Sequence, residues 1–273
     1  MNILSQPQAT KFFGSLMLFL AAVLFSLNSY ADEKANTTKV VAKGDPRLVQ
    51  IKARTDNDFL LFADYYLGGK RSGGVIVLHD CNSDRRAYRT VAKSLAQQDL
   101  HTLLVDLRGY GDSLSEAYSH EEAQKKSSDI VSYQSEMALI TANWADDLLA
   151  MYQFLANKID KSKGISVVTS GCSGAYVIGL AEKIQLNSMV MITPQMTYSE
   201  KERYKNLVDI PSYFVTSSHH QNSYETAQEL FSWNGSKQSK MQIFKGDRYD
   251  SKLISRQKHL ANDIALWVKF SLR

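Results

Sequence analysis

The sequence predicts an α/β protein with one mostly parallel, doubly wound sheet, and two observations support this fold class. Short continuous apolar runs recur along the chain, such as GGVIVLHD at 73–80 and HTLLVDLRG at 101–109, and such runs are typical of strands buried on both faces. Segments with helical apolar spacing separate these runs. Strands that alternate with helices imply a parallel sheet that is covered by helices on both faces.

The first half of the predicted domain begins with a hairpin and then alternates strand, helix and strand. Residues 47–68 are expected to form two strands, because a polar turn, TDND at 55–58, interrupts them. The apolar run at 73–80 is the third strand. Apolar residues between 83 and 98 recur at helical intervals, which predicts the first helix. The run at 101–109 is the fourth strand.

The second half continues the alternation after a polar interval. Residues 113–140 are rich in Ser and Glu and are predicted to form a loop and a surface helix, and an amphipathic helix follows at 142–159. Apolar runs and helical spacing alternate again in the remainder of the chain. They predict strands at 164–169, 187–193, 212–218 and 240–246, and helices at 174–184, 223–232 and 255–271.

The N-terminal segment differs in character from the rest of the chain. Lys11 precedes an unbroken apolar run at 12–27, and a small-x-small cleavage site, Ser-Tyr-Ala, follows the run. These features predict a secretory signal peptide over 1–31 and one domain over 32–273. An uncleaved membrane anchor is the alternative, because the run approaches the length of a short spanning helix. Cleavage would leave a protein without a stable membrane span, in the periplasm or the external medium.

Composition excludes several classes of function. The 273 residues carry a formal net charge of +4, and no basic run is interleaved with aromatic residues, so a nucleic-acid partner is not expected. The histidine pair at 219–220 has no third ligand at a recognisable spacing, so neither a metal nor another cofactor is expected. Two cysteines in an exported protein make one disulfide possible.

One stretch of the sequence resembles the α/β-hydrolase family, especially its dienelactone-hydrolase-like and esterase members: residues 75–113, VIVLHDCNSDRRAYRTVAKSLAQQDLHTLLVDLRGYGDS. The resemblance implies a strand, an oxyanion loop that contains histidine, a helix, a second strand and an Asp-x-Arg-Gly-x-Gly-Asp-Ser loop. In that loop we expect Arg108 to pair with Asp112. Only residues 194–211 separate the sixth and seventh strands, which leaves little room for a large lid domain.

In the α/β-hydrolase family the nucleophile lies on a strained turn between a strand and a helix. Counting from the strand and from the helix places Gly171 at this position, so the nucleophile is predicted to be missing. Two shifts of the register remain open. A longer strand places Ser173 at the nucleophile position, because GCSGA at 171–175 nearly matches G-x-S-x-G. A one-residue shift instead places Cys172 there, similar to cysteine-using dienelactone hydrolases.

The other two positions of the family's catalytic triad also depart from the pattern. His219 and His220 stand where the acid is expected, and Tyr249 stands where the histidine is expected. A tyrosine is nearly always protonated near neutral pH and is therefore a poor general base. A rebuilt triad would need Ser173 or Cys172 as nucleophile, a histidine and an orienting carboxylate. The candidates for the last two roles are His219, His220 and His259 with Asp247 or Asp250.

The resemblance also implies where the two cysteines lie. The oxyanion hole of the family is built from the backbone N–H after the nucleophile and from one N–H in the loop after the third strand. These two positions correspond to Cys172 and Cys81. We therefore expect a Cys81–Cys172 disulfide that joins the two sides of the hole.

Three functions remain as hypotheses, of which the third, a purely structural envelope protein, has no positive feature in the sequence. The first is an exported hydrolase-fold protein that has lost hydrolysis and offers its old pocket to a small-molecule ligand or an ester. That pocket would be lined by His79, Ser173, His220 and Tyr249. The second is an active carboxyl-ester hydrolase that uses Ser173, or Cys172, with His219 or His220.

Overall fold

The computed structural model describes residues 40–41, 45 and 47–272, and the predicted signal peptide lies outside them. The strands are β1 (Val40–Val41), β2 (Leu48–Arg54), β3 (Leu60–Tyr66), β4 (Gly74–Leu78), β5 (His101–Val105), β6 (Ile165–Ser170), β7 (Met189–Ile192), β8 (Ser212–Ser217) and β9 (Lys240–Phe244). The helices are α1 (Arg89–Gln97), α2 (His120–Lys126), α3 (Ile130–Thr141), α4 (Trp144–Ala156), α5 (Ser173–Ala181), α6 (Tyr198–Tyr204), α7 (Gln221–Trp233), α8 (Asp250–Arg256) and α9 (Leu260–Ser271). Two short 3-10 turns lie at Arg85–Tyr88 and Lys205–Leu207.

All described strands belong to one sheet, in the order β1-β2-β3-β5-β4-β6-β7-β8-β9. The first three strands are antiparallel to their neighbours. The remaining six strands are parallel, with β4 between β5 and β6, where Gly74 pairs with both His101 and Ile165. The chain therefore reverses its direction of winding at β4, and helices cover both faces, as the sequence predicts.

Successive side chains of the central strands point to opposite faces of the sheet and pack into two separate hydrophobic cores. Ile76 and Leu78 of β4 point into the core that α4 and α5 cover. Val75 and Val77 of the same strand point into the other core, which α1 and α9 cover. Both faces of β4 are fully buried, which explains why this strand is a continuous apolar run instead of an alternating one.

The predicted fold class is confirmed, and the element boundaries differ from prediction at the C-terminus. The single helix expected over 255–271 is divided into α8 and α9, because Gln257 leaves the helical conformation with ψ of 88°. The segment between β7 and β8 holds only α6 and a 3-10 turn, in agreement with the prediction that no large lid domain is present. Within residues 47–272, no helix combines the length and the apolar character that crossing a membrane requires.

The expected pairing of Arg108 with Asp112 is wrong. The Arg108 guanidinium instead lies 2.6 Å from the carboxylate of Asp147 in α4, and both side chains are about 1% exposed. Asp112 accepts a hydrogen bond from the Arg85 guanidinium at 2.6 Å. Arg108 and Asp112 therefore both pair with residues outside their own loop. The pair of Arg108 with Asp147 holds the loop after β5 against α4.

Candidate functional site

Six loops meet at the edge of the sheet where the parallel strands end. They follow β4, β5, β6, β7, β8 and β9. In open α/β sheets, ligands bind outside the carboxyl ends of the strands, at the point where the strand order reverses. This edge is therefore the candidate site of the fold.

The turn between β6 and α5 contains Gly171 at its sharpest point, and we call this turn the elbow. Gly171 has φ of +53°, a conformation that glycine adopts without steric cost, and its N–H donates to the carbonyl of Ile192 at 2.9 Å. A Cβ atom on Gly171 would lie 3.0 and 3.1 Å from the two carboxyl oxygens of Asp250. The Asp250 carboxyl thus lies directly beside the position that a side chain at residue 171 would occupy.

Asp250, the first residue of α8, is 3% exposed. Its Oδ1 accepts hydrogen bonds from the hydroxyls of Ser170 at 2.9 Å and Thr193 at 2.6 Å, and its N–H donates to Thr193 Oγ1 at 2.9 Å. Its Oδ2 is buried and has no hydrogen-bond partner among the described residues. Burial, together with the nearby Asp80, raises the pKa of Asp250 to about 7, so the carboxyl is extensively protonated at neutral pH.

Asp80 and Tyr88 extend this hydrogen-bonded cluster toward β4. Asp80 is 2% exposed and accepts hydrogen bonds from the Tyr88 and Ser83 hydroxyls at 2.6 and 2.7 Å. It also accepts one from the N–H of Asn82 at 2.7 Å. The Asp80 carboxylate is therefore well satisfied, whereas the Asp250 carboxyl keeps one oxygen without a partner.

His79 uses both of its ring nitrogens within the protein. Its Nε2 accepts a hydrogen bond from the N–H of Leu107 at 3.0 Å, so the proton lies on Nδ1, which donates to the carbonyl of Asp80 at 2.6 Å. Complete burial lowers the pKa of His79, which favours this neutral form. His79 therefore supports the loop after β4 and offers no nitrogen to a ligand in this arrangement.

Ser173 lies at the start of α5 with its side chain turned back to the end of β6. The hydroxyl is fully buried, donates to the carbonyl of Ser170 at 2.9 Å and accepts from the N–H of the same residue at 3.1 Å. It also lies 2.5 Å from the hydroxyl of Thr169. None of these partners is a histidine, and the hydroxyl closes the junction between strand and helix.

The expected disulfide between Cys81 and Cys172 is present, with 6.0 Å between the two Cα atoms. It joins the loop after β4 to the elbow across 91 residues of sequence. In this state Cys172 has no free thiol. Because only a thiolate acts as a cysteine nucleophile, the oxidised protein cannot use Cys172 in that role.

Two of the histidine candidates, His219 and His220, lie in the loop after β8 at the same edge, and His259 precedes α9. The ring of His220 stacks on the ring of Tyr249, with 4.5 Å between their centroids, and its Nδ1 lies 2.7 Å from the hydroxyl of Ser223. Burial lowers the pKa of His220. His219 and His259 are exposed, and no hydrogen bond joins any of the three histidines to Ser173 among the described residues.

Sequence reasoning missed the part that Asp250 plays at the elbow. It placed Tyr249 in the position of the family's histidine and considered Asp250 only as an orienting acid. The side chain that reaches Gly171 from this loop is that of Asp250, one residue further along. No sequence motif marks this contact. The only signal in the sequence is an acidic residue that follows closely after the last strand.

Two cavities among the described residues lie away from the elbow. One, of about 590 Å³, lies between α7 and β9, and the other, of about 270 Å³, lies between α5, α6 and the junction of α3 with α4. Neither is lined by Gly171 or Asp250. Among the described residues, no group of three His, Cys, Asp or Glu side chains could hold a metal ion.

Comparison with known proteins finds similarity in structure only. No protein-family model matches the sequence, and no curated protein matches it. An esterase from Pyrococcus furiosus has a TM-score of 0.61 at 17% identity, over 87% of this chain and 100% of that chain. A dienelactone hydrolase from Anabaena variabilis has a TM-score of 0.59 at 14% identity, over 83% of this chain and all of that one.

A third solved structure, the esterase domain of a Rhodothermus marinus protein, has a TM-score of 0.59 at 12% identity, over 82% of this chain and 98% of that chain. At such low identity these similarities concern the fold and not the chemistry. The protein therefore has the α/β-hydrolase fold, as the resemblance over 75–113 implies.

Proposed function

We propose that this protein is an exported α/β-hydrolase-fold protein that does not hydrolyse esters and acts through binding. In the sequence register, Gly171, His220 and Tyr249 stand at the positions of nucleophile, acid and histidine, although it is Asp250, one residue after Tyr249, that reaches Gly171. A serine hydrolase needs a nucleophile within hydrogen-bond reach of a base, which a third group orients. None of these three residues can supply its part of that arrangement.

The single observation that carries the proposal is the contact between Gly171 and Asp250. The elbow has no side chain, and the Asp250 carboxyl lies about 3 Å from the place where its Cβ would be. Ser173, which fits the local motif, donates to the carbonyl of Ser170 at the end of β6 instead of to a histidine. The loss of the nucleophile is thus supported by geometry as well as by the sequence register.

Export is part of the proposal for two reasons. The apolar run at 12–27 with the small-residue site after it is typical of a secretory signal peptide. The disulfide of Cys81 with Cys172 is the kind of bond that persists in oxidising compartments. A small-molecule ligand would enter the edge of the sheet near His220 and Tyr249.

The test is the hydrolysis of a panel of p-nitrophenyl and dienelactone esters by the purified mature protein. We expect no turnover above the buffer background for the wild type and the same result for the Ser173→Ala variant, since the Ser173 hydroxyl takes no part in chemistry. An active esterase in the same buffer serves as the control for the panel. Turnover that Ser173→Ala abolishes, with the variant folded, would favour the alternative function, a carboxyl-ester hydrolase that uses Ser173 with His219 or His220.

A further inference from the structure

We propose that residues 246–250, which we call the Asp250 segment, cover the elbow in a pH-dependent manner, closing it when the Asp250 carboxyl is protonated and leaving it when that carboxyl is ionised. The inference rests on the proposed function, because it describes how access to the same site is controlled. It follows from how the segment is held, from its backbone conformation and from the charges around it.

The Asp250 carboxyl is the main attachment of the segment to the centre of the sheet. Hydroxyls at the ends of two neighbouring strands, those of Ser170 and Thr193, bind one oxygen. The other oxygen is buried beside Gly171 without a partner among the described residues. The hydroxyls of Ser170 and Thr193 favour the ionised form, but burial and the unpartnered oxygen outweigh them, so the carboxyl is held more stably there in its neutral form than in its ionised form.

The backbone on both sides of this attachment is strained. Asp250 has φ of +50° and its partner Thr193 has φ of +43°, a region that β-branched residues rarely adopt. Such conformations persist only where the surrounding contacts enforce them. Aspartate tolerates this region better than threonine does, and Thr193 is bonded to Asp250 through its hydroxyl, so weakening the contacts of Asp250 removes part of what holds Thr193 in its strained conformation.

The start of the segment can act as a hinge. Gly246 has φ of +117° and open space on the side where a Cβ would lie. The segment is also tied to the loop after β8, where the N–H of His219 donates to the carbonyl of Gly246 at 2.8 Å and the hydroxyl of Ser217 donates to the carbonyl of Arg248. These two bonds hold the closed position together with Asp250, and because they lie beyond the hinge they must be exchanged when the segment rotates about Gly246.

The charges that face Asp250 oppose its ionisation in the closed state. The loop after β4 presents the Asp80 carboxylate, and the 3-10 turn presents the neutral Tyr88 hydroxyl. The ends of β6 and β7 present only hydroxyls. Lys252, on the same helix as Asp250, is the one cation that acts on it among the described residues, and it is exposed to solvent.

The direction of the pH dependence follows from linkage. The closed state holds the Asp250 proton up to about pH 7, whereas an open, solvated aspartate releases it near its ordinary pKa of about 3.9. The equilibrium between closed and open therefore shifts toward open as the pH rises between these values, by up to about tenfold per pH unit. Above about pH 7 both states are ionised, and the equilibrium no longer changes.

Hydrogen–deuterium exchange of the mature protein, read by mass spectrometry from pH 5 to pH 8 and corrected for the intrinsic exchange rate, tests the proposal. For peptides covering 246–253 we expect protection to fall by about tenfold per pH unit up to pH 7 and then to level off. Asp250→Asn, which cannot ionise, should keep its protection across the range. Asp247→Asn, an exposed acid in the same segment, is the matched control and should behave like the wild type.

Two results overturn the proposal: wild-type protection that does not change with pH, or the same pH profile in Asp250→Asn. If Asp250→Asn does not fold, infrared spectroscopy of the wild-type protein tests the proposal instead, through the band of a buried protonated carboxyl. It should be present at pH 5 and disappear around pH 7, and its absence at pH 5 overturns the proposal. Ester turnover that depends on Ser173 would contradict the proposed function whatever the exchange profile, whereas a flat profile in an inactive protein contradicts only this inference.

Discussion

At the scale of single residues, the contact between Gly171 and Asp250 decides what the elbow can do. A side chain at position 171 would have to displace a carboxyl that two hydroxyls hold in place. The elbow and the Asp250 segment are therefore coupled, although they lie far apart in the sequence. Such coupling can be measured as a departure from additivity in a double-mutant cycle.

Gly171→Ala should lower the free energy of unfolding by about 1–3 kcal/mol, because the new Cβ meets the Asp250 oxygens and the backbone is at positive φ. In an Asp250→Ala background the contact is absent, so the same substitution should cost at least about 0.5 kcal/mol less. Urea unfolding of the four proteins measures both quantities. Gly235→Ala is the control, since its Cβ would meet no atom closer than 3.8 Å and lies outside the Asp250 segment, so it should cost the same in both backgrounds. Additive effects of Gly171→Ala and Asp250→Ala would contradict the contact.

Ionisation of Asp250 should also appear in global stability. The pKa in the folded protein, about 7, lies above the unfolded value, so the folded state holds a proton that the unfolded state releases. Asp250 therefore stabilises the fold most at low pH, and this contribution is lost as the pH rises toward 7. Between pH 5 and pH 8 the wild type should lose about 2–3 kcal/mol relative to Asp250→Asn, at about 1.4 kcal/mol per pH unit. Parallel pH profiles of the two proteins in urea unfolding would refute this.

At the scale of secondary-structure elements, two links hold the loops around the site. The buried pair of Arg108 and Asp147 fastens the loop after β5 to α4. The disulfide of Cys81 and Cys172 fastens the loop after β4 to the elbow. Both links join elements that are distant in sequence, and both are positioned to limit movement of the loops beside the Asp250 segment.

Asp147→Asn should cost about 3–5 kcal/mol of unfolding free energy, because it leaves the Arg108 charge buried without its counter-ion. The matched control is Glu122→Gln, which removes an exposed pair with Lys125 and should change stability by less than about 1 kcal/mol. Thermal or urea unfolding gives both values. Equal effects of the two substitutions would contradict the structural role of the Arg108 pair.

Reduction of the disulfide should lower the free energy of unfolding by about 2–5 kcal/mol, since the bond closes a long loop. Urea unfolding with and without a reductant measures the loss. The Cys81→Ser, Cys172→Ser double variant is the control and should be insensitive to the reductant. A wild-type protein with two free thiols by mass spectrometry under non-reducing conditions would refute the disulfide itself.

At the scale of the whole molecule, the sequence was sufficient to predict the fold class and the pairing of the cysteines. Buried parallel strands such as 73–80 are recognisable because both of their faces are apolar. The register around Gly171 could be counted because a strand and a helix on either side define it. The cysteine pairing followed from the resemblance to the α/β hydrolases, which places both residues at one hole.

What could not be predicted depends on contacts between distant parts of the chain. Asp250 reaches the elbow 79 residues away in sequence because α8 begins at Asp250, close after β9, and the sequence pattern placed no helix start there. The partner of Arg108 is in α4 instead of its own loop. Both contacts depend on how helices and strands pack against one another, and local sequence patterns carry no information about such packing.

The central claim is that the elbow carries no activated nucleophile, and covalent labelling tests it most directly. The purified mature protein would be treated with a fluorophosphonate probe beside an active esterase, and intact mass with peptide mapping would locate any adduct. We expect no modification of the protein and complete modification of the esterase. Stoichiometric labelling of Ser173 would contradict the account, because it would require an activated hydroxyl where the structure has one that is buried and bound to its own strand.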